Sequence, residues 1–197
     1  MTSGTKDLTG VSLATARLVL REFRETDIDA ITEACQDEEI RRYTQVPTPY
    51  LRVHAEKFVR DQCPARRAAG TDAVFGVFTA DAGDETFVGV VGLHNIARLD
   101  DPAGGGAGIG YWTAPQARRR GYTTEAVTEV CRWGLEDLGL VLIRWDAIVG
   151  NDGSLEVARR AGFVLEGTRR KHMVHRGVRK DMWVGSLLPE DFANRSR

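Results

Sequence analysis

The sequence predicts a mixed α/β domain. Short runs rich in valine, phenylalanine and leucine alternate with segments whose apolar residues recur every three or four positions. Glycine and proline mark the joins, and no internal repeat or linker divides the chain. At 197 residues it has the size of one domain, and 42% hydrophobic residues can furnish a core.

Residues 1–11 are polar and read as a flexible lead-in, and 12–188 hold the domain. The stretch Leu13 to Phe23 alternates Leu18 and Leu20 against Arg17, Val19 and Arg21, as a half-buried strand does. Thr26 or Asp27 can cap a helix carrying Ile28, Ile31, Ala34 and Cys35. After Pro47 and Pro49, a second helix is expected from about Leu51 to Ala69, ended by Gly70. Val74 to Phe78 and Phe87 to Leu93 form a hairpin about the turn Asp81-Ala82-Gly83-Asp84. Asp100 to Gly106 reads as a loop, and Gly108 to Trp112 as the next strand.

The following helix places Ala126, Val127, Val130, Cys131, Gly134, Leu135 and Leu138 on one side, and Gly139 suits its end. Leu140 to Val149 is a strand, and Asn151 or Asp152 caps a short helix that Gly162 terminates. Phe163 to Leu165 begins another strand, Asp181 to Leu188 gives the last, and 189–197 form a tail.

Composition narrows the function. A net charge of -1 and 28% charged residues describe a soluble chain with no overall field to recruit nucleic acid or an anionic membrane. Cys35, Cys63 and Cys131 are odd in number and lack metal-ligand spacing, which suits a reducing cytoplasm. Cys131 lies on an apolar helix face and reads as a packing thiol. No signal peptide is evident, and no apolar run approaches the ~20 residues that span a bilayer. His172 and His175 sit among cations and do not suggest a metal site.

The most informative stretch is Arg118-Arg119-Arg120-Gly121-Tyr122-Thr123-Thr124-Glu125, a basic glycine turn that opens an amphipathic helix. Free N–H groups converge at such an end, and the helix dipole favours negative charge there. Gly121 lets a ligand approach the main chain closely. One strand later comes Asn151-x-x-Ser154-x-x-Val157-x-x-Arg160-x-Gly162-Phe163. The two together point to a phosphate-bearing acyl carrier.

Arg118-x-x-Gly121-x-Thr123 resembles the pyrophosphate loop of the GNAT N-acyltransferases, with Thr123 where that family usually has Gly or Ala. Gly110-Tyr111-Trp112, the Asn151 to Phe163 run, Leu13-x-Thr15-x-Arg17-Leu18-x-Leu20-Arg21 and Asp181-x-Trp183 resemble the RimJ/RimL branch. The resemblance covers about residues 12 to 188. It implies one GNAT-type domain, a mostly antiparallel twisted sheet flanked by helices and splayed between its fourth and fifth strands.

The implied activity is transfer of an acetyl group from acetyl-CoA to a primary amine, on a protein N-terminus or a small molecule, without a metal. Arg118, Arg119, Arg120, Gly121, Tyr122, Thr123 and Thr124 are expected around the diphosphate. Trp112 and Thr113 are expected to offer main chain to the pantetheine arm, Asn151 to contact that arm, and Ser154 to hydrogen-bond the departing sulfur. A homodimer is also implied by the resemblance alone. Tyr111 and Trp112 read as packing side chains. The base is open: Gly108 stands where relatives often carry an acid, and His94, Asp100, Asp101 and Asp146 lie nearby without an assigned role. Two alternatives remain, a non-catalytic coenzyme-binding module and an enzyme using succinyl-CoA or another acyl-CoA.

Overall fold

A computed structural model describes residues 7–80, 85–97 and 103–194. Eight strands form one sheet in the order β1-β2-β3-β4-β5-β6-β8-β7. They are β1 (Leu13–Ala14), β2 (Leu18–Arg21), β3 (Ala73–Thr79), β4 (Phe87–Ala97), β5 (Gly105–Thr113), β6 (Leu140–Ile148), β7 (Val164–His175) and β8 (Val178–Leu187). Every neighbouring pair is antiparallel except β5 with β6.

That parallel pair positions the site. Its ladder runs from Gly105 opposite Leu140 to Ile109 opposite Trp145 and stops. Yet β5 continues to Thr113 and β6 to Ile148. The two strands therefore part beyond Ile109 and Trp145, leaving main-chain groups on their facing edges without a strand partner.

Helices cover both faces. On one side lie α1 (Ile28–Ala34), α2 (Glu38–Tyr43), α3 (Arg52–Lys57) and α4 (Cys63–Ala68); a wider turn over Phe58–Gln62 joins the last two into one continuous helix. On the other lie α5 (Tyr122–Arg132), prolonged by Trp133–Asp137, and α6 (Asp152–Arg160). The alternation of β3 explains the sandwich. Phe75 and Val77 join the core beneath α5, whereas Val74 and Phe78 join that beneath α1 to α4. A strand buried on both faces reads as a continuous apolar run, as this one does. The α5 stripe is buried as its period predicts, and Phe75 meets Trp133 edge-on at 5.7 Å.

Several expectations need correction. The run from Leu13 to Phe23 is not one strand: Thr15 reverses it, its amide donating to Leu18 O at 2.9 Å and its hydroxyl accepting from Leu18 N–H at 3.0 Å. Helix α2 was not expected; Asp37 caps it by accepting from Ile40 N–H at 2.9 Å. Strand β5 starts at Gly105, inside the expected loop, because main-chain pairing with Leu140 and Leu142 needs no side chain. Leu8, assigned to the lead-in, is fully buried, and its N–H and C=O bond Arg67. Pro189–Asn194 forms a short α7 within the expected tail. The turn at Asp81 to Asp84, and Asp100 and Asp101, lie outside the described residues.

The three cysteines are buried and form no disulfide, and burial pushes the Cys35 and Cys63 thiols up to about 12. Among the described residues, no helix is long and apolar enough to cross a membrane.

Candidate functional site

The parting of β5 and β6 opens a cavity of about 1270 Å³ between the start of α5, the start of α6 and the helices α1 to α3. Of the sequence-predicted residues, Trp112, Thr113, Arg118, Arg119, Thr123, Asn151 and Ser154 line it; Arg120, Gly121, Tyr122 and Thr124 do not contribute side-chain wall.

The arginine turn has an unusual backbone. Arg119 (φ 60) and Gly121 (φ 78) are both left-handed, on either side of Arg120. Arginine in that region costs roughly 1–3 kcal/mol, and such cost persists where the surrounding structure enforces it. The first helical bond of α5 is from Glu125 N–H to Gly121 O at 3.1 Å. The amides of Tyr122, Thr123 and Thr124 therefore have no acceptor within the helix, at its positive end.

Side chains hold this turn from three directions. Glu125 accepts from Thr15 Oγ1 at 2.5 Å and from Arg17 Nε at 2.8 Å. Arg17 also donates to Arg120 O at 3.2 Å and lies 4.8 Å from the centre of the Tyr122 ring. Burial raises the Glu125 carboxyl, but the bonds from Thr15 and Arg17 outweigh it and leave the pKa lowered. Thr123 Oγ1 meets Thr113 Oγ1 at 2.5 Å, tying α5 to the end of β5. Arg118 forks onto Asp37, with contacts of 3.2 and 2.5 Å. Its charge is thus engaged by the carboxylate that caps α2, so the turn offers a ligand its main chain more than this guanidinium. On the acetyl-CoA chemistry that the sequence resemblance implies, replacing Glu125 with Ala should raise the KM for that donor about five- to tenfold, equivalent to ~1–1.4 kcal/mol, with kcat little changed. Steady-state kinetics at fixed acceptor checks it.

Of the two residues whose main chain the sequence placed at the gap, Thr113 faces it and Trp112 does not. Ala114 N–H donates to Val88 O at 2.9 Å, and residues of the β4–β5 pair alternate between facing β4 and facing away. Trp112 and Gly110 are thus committed to β4, and Tyr111 and Thr113 face the gap. Trp112 instead contributes its ring, packed edge-on against Phe87 at 5.8 Å.

Ser154 and Asn151 are both engaged locally. Asn151 Oδ1 accepts from Ser154 N–H at 3.2 Å and so caps α6, while the residue lines the cavity. Ser154 Oγ accepts from Trp145 Nε1 at 3.1 Å and donates to Tyr111 Oη at 3.1 Å, while Tyr111 Oη donates to Ser154 O at 2.9 Å. Tyr111 is therefore more than packing: its hydroxyl shares a closed network with Ser154. Burial pushes its phenol well above the usual range.

A residue left without a role by the sequence stands on the cavity wall. His94, on β4, lines the cavity with Nδ1 3.2 Å from Asp72 Oδ1. Asp72 is buried and also accepts from Asn95 N–H at 3.1 Å. The hydrogen bond with His94, acting against burial, holds the Asp72 carboxyl below its ordinary value. In the neutral ring, a carboxylate at Nδ1 favours the tautomer that keeps its hydrogen there and leaves Nε2 as the acceptor. Nε2 lies over Gly110, where an added Cβ would be 3.1 Å away. Gly110 therefore makes room for the imidazole, and the ring faces the strand that leaves the sheet. Asp146 also lines the cavity.

This open main chain at a helix start, beside a split sheet, is the architecture of an acyl-coenzyme-dependent transferase. The model of the acetyltransferase (GNAT) domain matches residues 17–164, and the chain belongs to that family. It is 26% identical over 176 residues to the uncharacterized N-acetyltransferase YoaA of Bacillus subtilis, covering 89% of this chain and 96% of that protein. Among solved structures, RimL, a ribosomal L7/L12 alpha-N-protein acetyltransferase in complex with coenzyme A, superposes with a TM-score of 0.78 at 18% identity, covering 90% of this chain and 98% of RimL. The microcin C7 self-immunity acetyltransferase MccE, in complex with acetyl-CoA and AMP, gives 0.79 at 19% identity, covering 92% and 98%.

Proposed function

We propose that the protein transfers an acetyl group from acetyl-CoA directly to a primary amine bound in the same cavity. The observation that carries this reading is the set of amides at Tyr122 to Thr124 that the helix leaves without an acceptor, beside the point where β5 leaves β6. Those amides would hold the diphosphate, which needs N–H donors and a positive dipole end. Tyr111 and Thr113 would pair with the amide groups of the pantetheine arm as an added strand. Asn151, on the same wall, would add a side-chain donor through Nδ2.

In the reaction the amine nitrogen forms a bond to the thioester carbon and loses a proton to His94 Nε2; the carbon–sulfur bond breaks, and the sulfur leaves with the electron pair. Asp72 keeps Nδ1 protonated, and its negative charge stabilises the imidazolium. Main-chain N–H groups of the departing β5 edge would meet the developing oxyanion. Ser154, polarised by Trp145, would turn its proton from Tyr111 to hydrogen-bond the sulfur. The amine would come from a protein N-terminus or a small molecule, and the enzyme would act as a homodimer.

The alternatives find less support. A non-catalytic module was suggested by Gly108, but a base is available in His94. A carboxylate-bearing donor needs a cation beside the acyl group; of the cavity arginines, Arg118 is engaged by Asp37 and Arg119 sits in the turn read as the diphosphate site. Release of free thiol from acetyl-CoA should rise with added peptides or amines and remain near background without them. Neither turnover nor coenzyme binding across such a panel would overturn the proposal.

A further inference from the structure

The cationic run from Arg169 to His172 has no part in the coenzyme site, yet the fold displays it deliberately. It lies on β7, the edge strand, whose residues are almost all exposed along its twelve positions. Arg169 stands opposite Met182 and Met173 opposite Lys180, so the strand bulges outward at Arg170, Lys171 and His172. The bulge is built: Lys171 is left-handed (φ 48), its N–H donates to Asp181 Oδ1 at 2.7 Å, and its C=O accepts from Arg179 at 3.1 Å. From 169 to 180 there are six lysines and arginines and no acidic residue, in a chain whose net charge is -1. Among the described residues, Arg169, Arg170, Lys171 and Lys180 form no ion pair.

The hairpin is also fastened to the cavity rim. Arg176 donates to Arg41 O at 2.7 Å and to Val46 O at 3.2 Å, and Gln45 Nε2 lies 3.3 Å from Met173 Sδ. Gln45 and Val46 both line the cavity. A ligand lying on β7 would therefore lead toward the open site.

We propose that the β7–β8 hairpin docks an acidic polypeptide segment, the one that carries the acceptor amine, extended alongside β7. This rests on the acyl-transfer reading and narrows its acceptor to the amine of an acidic protein. An unpaired strand edge matches an extended peptide, and carboxylates match the cations of the bulge. A second copy of the chain does not fit, since β7 against β7 would set like charges in register. Single-stranded RNA is matched less well: residues 169–180 contain no Phe, Tyr or Trp on which bases could stack.

The test uses peptides sharing their first residues and differing in a following segment that is acidic, neutral or basic. The acidic peptide should have a KM at least about tenfold below the neutral one, with similar kcat, and the advantage should fade as salt rises above about 0.3 M. The double variant Arg170→Glu/Lys171→Glu should abolish the advantage and leave the acetyl-CoA KM and turnover of a small amine unchanged. Fluorescence anisotropy of the labelled acidic peptide, without acetyl-CoA, measures docking even if no acceptor is turned over, so the two proposals can fail separately. Equal affinity for acidic and neutral peptides, an unaffected double variant, or tighter binding of an RNA oligomer would each overturn the inference.

Discussion

Replacing His94 with Gln should lower kcat/KM for the amine about 10²- to 10³-fold, with the KM for acetyl-CoA held within about twofold. Glutamine can still donate to Asp72 and fill much of the same space, but it cannot take a proton from an ammonium or a protonated intermediate. Asp72→Asn should cost less, about tenfold, because the imidazole remains while its orientation and charge compensation weaken. Gly110→Ala should resemble a mild His94 variant, since its Cβ would sit 3.1 Å from Nε2 and move the ring. Activity of His94→Gln within about threefold of the parent would remove this residue from the mechanism.

The second large effect is expected at the turn. Gly121→Val should raise the KM for acetyl-CoA about 10- to 100-fold and also lower the melting temperature. Space is not the reason, because a Cβ there would meet only Arg17 NH2 at 3.6 Å. The reason is the backbone: at φ 78 an L-residue is disfavoured by roughly 1–2 kcal/mol, and a β-branched one by more. The chain would relax toward negative φ and turn the following amides away. Gly139→Val supplies the control, for Gly139 has φ 73 and open space but lies at the far end of the helix. It should destabilise comparably and leave the acetyl-CoA KM near the parent value. Equal KM changes in both variants would reduce the Gly121 effect to general instability.

What the sequence reveals depends on how local the signal is. The strands around Phe75 and Val90, the α5 stripe and the Gly121 turn follow from periodicity and turn chemistry within a few residues. The motif at Thr15 and Arg17 was visible, but its purpose was not, since Glu125 lies 108 to 110 residues away. Arg118 with Asp37, 81 residues apart, carries no local mark either. The Asp72–His94 pair is intermediate. A hairpin about residues 81–84 brings the two ends near each other, as the observed pairing of Ala73 with Leu93 does. Carrying that register one residue outward would have found it. Helix α2 escaped because its six residues bury only Ile40, although Asp37 marks its start. The division of labour between Tyr111, Trp112 and Thr113 requires the hydrogen-bond phase of the ladder, which apolar alternation does not supply.

One claim underlies the rest: amides at the left-handed turn before α5 grip a diphosphate, so that the thioester lies where β5 parts from β6. A crystal structure of the acetyl-CoA complex tests it most directly. Diphosphate oxygens should lie about 3 Å from amides between Gly121 and Thr124, with the acyl sulfur between Ser154 and His94. A coenzyme bound with those amides still open, or with its arm outside the β5–β6 gap, would contradict the account.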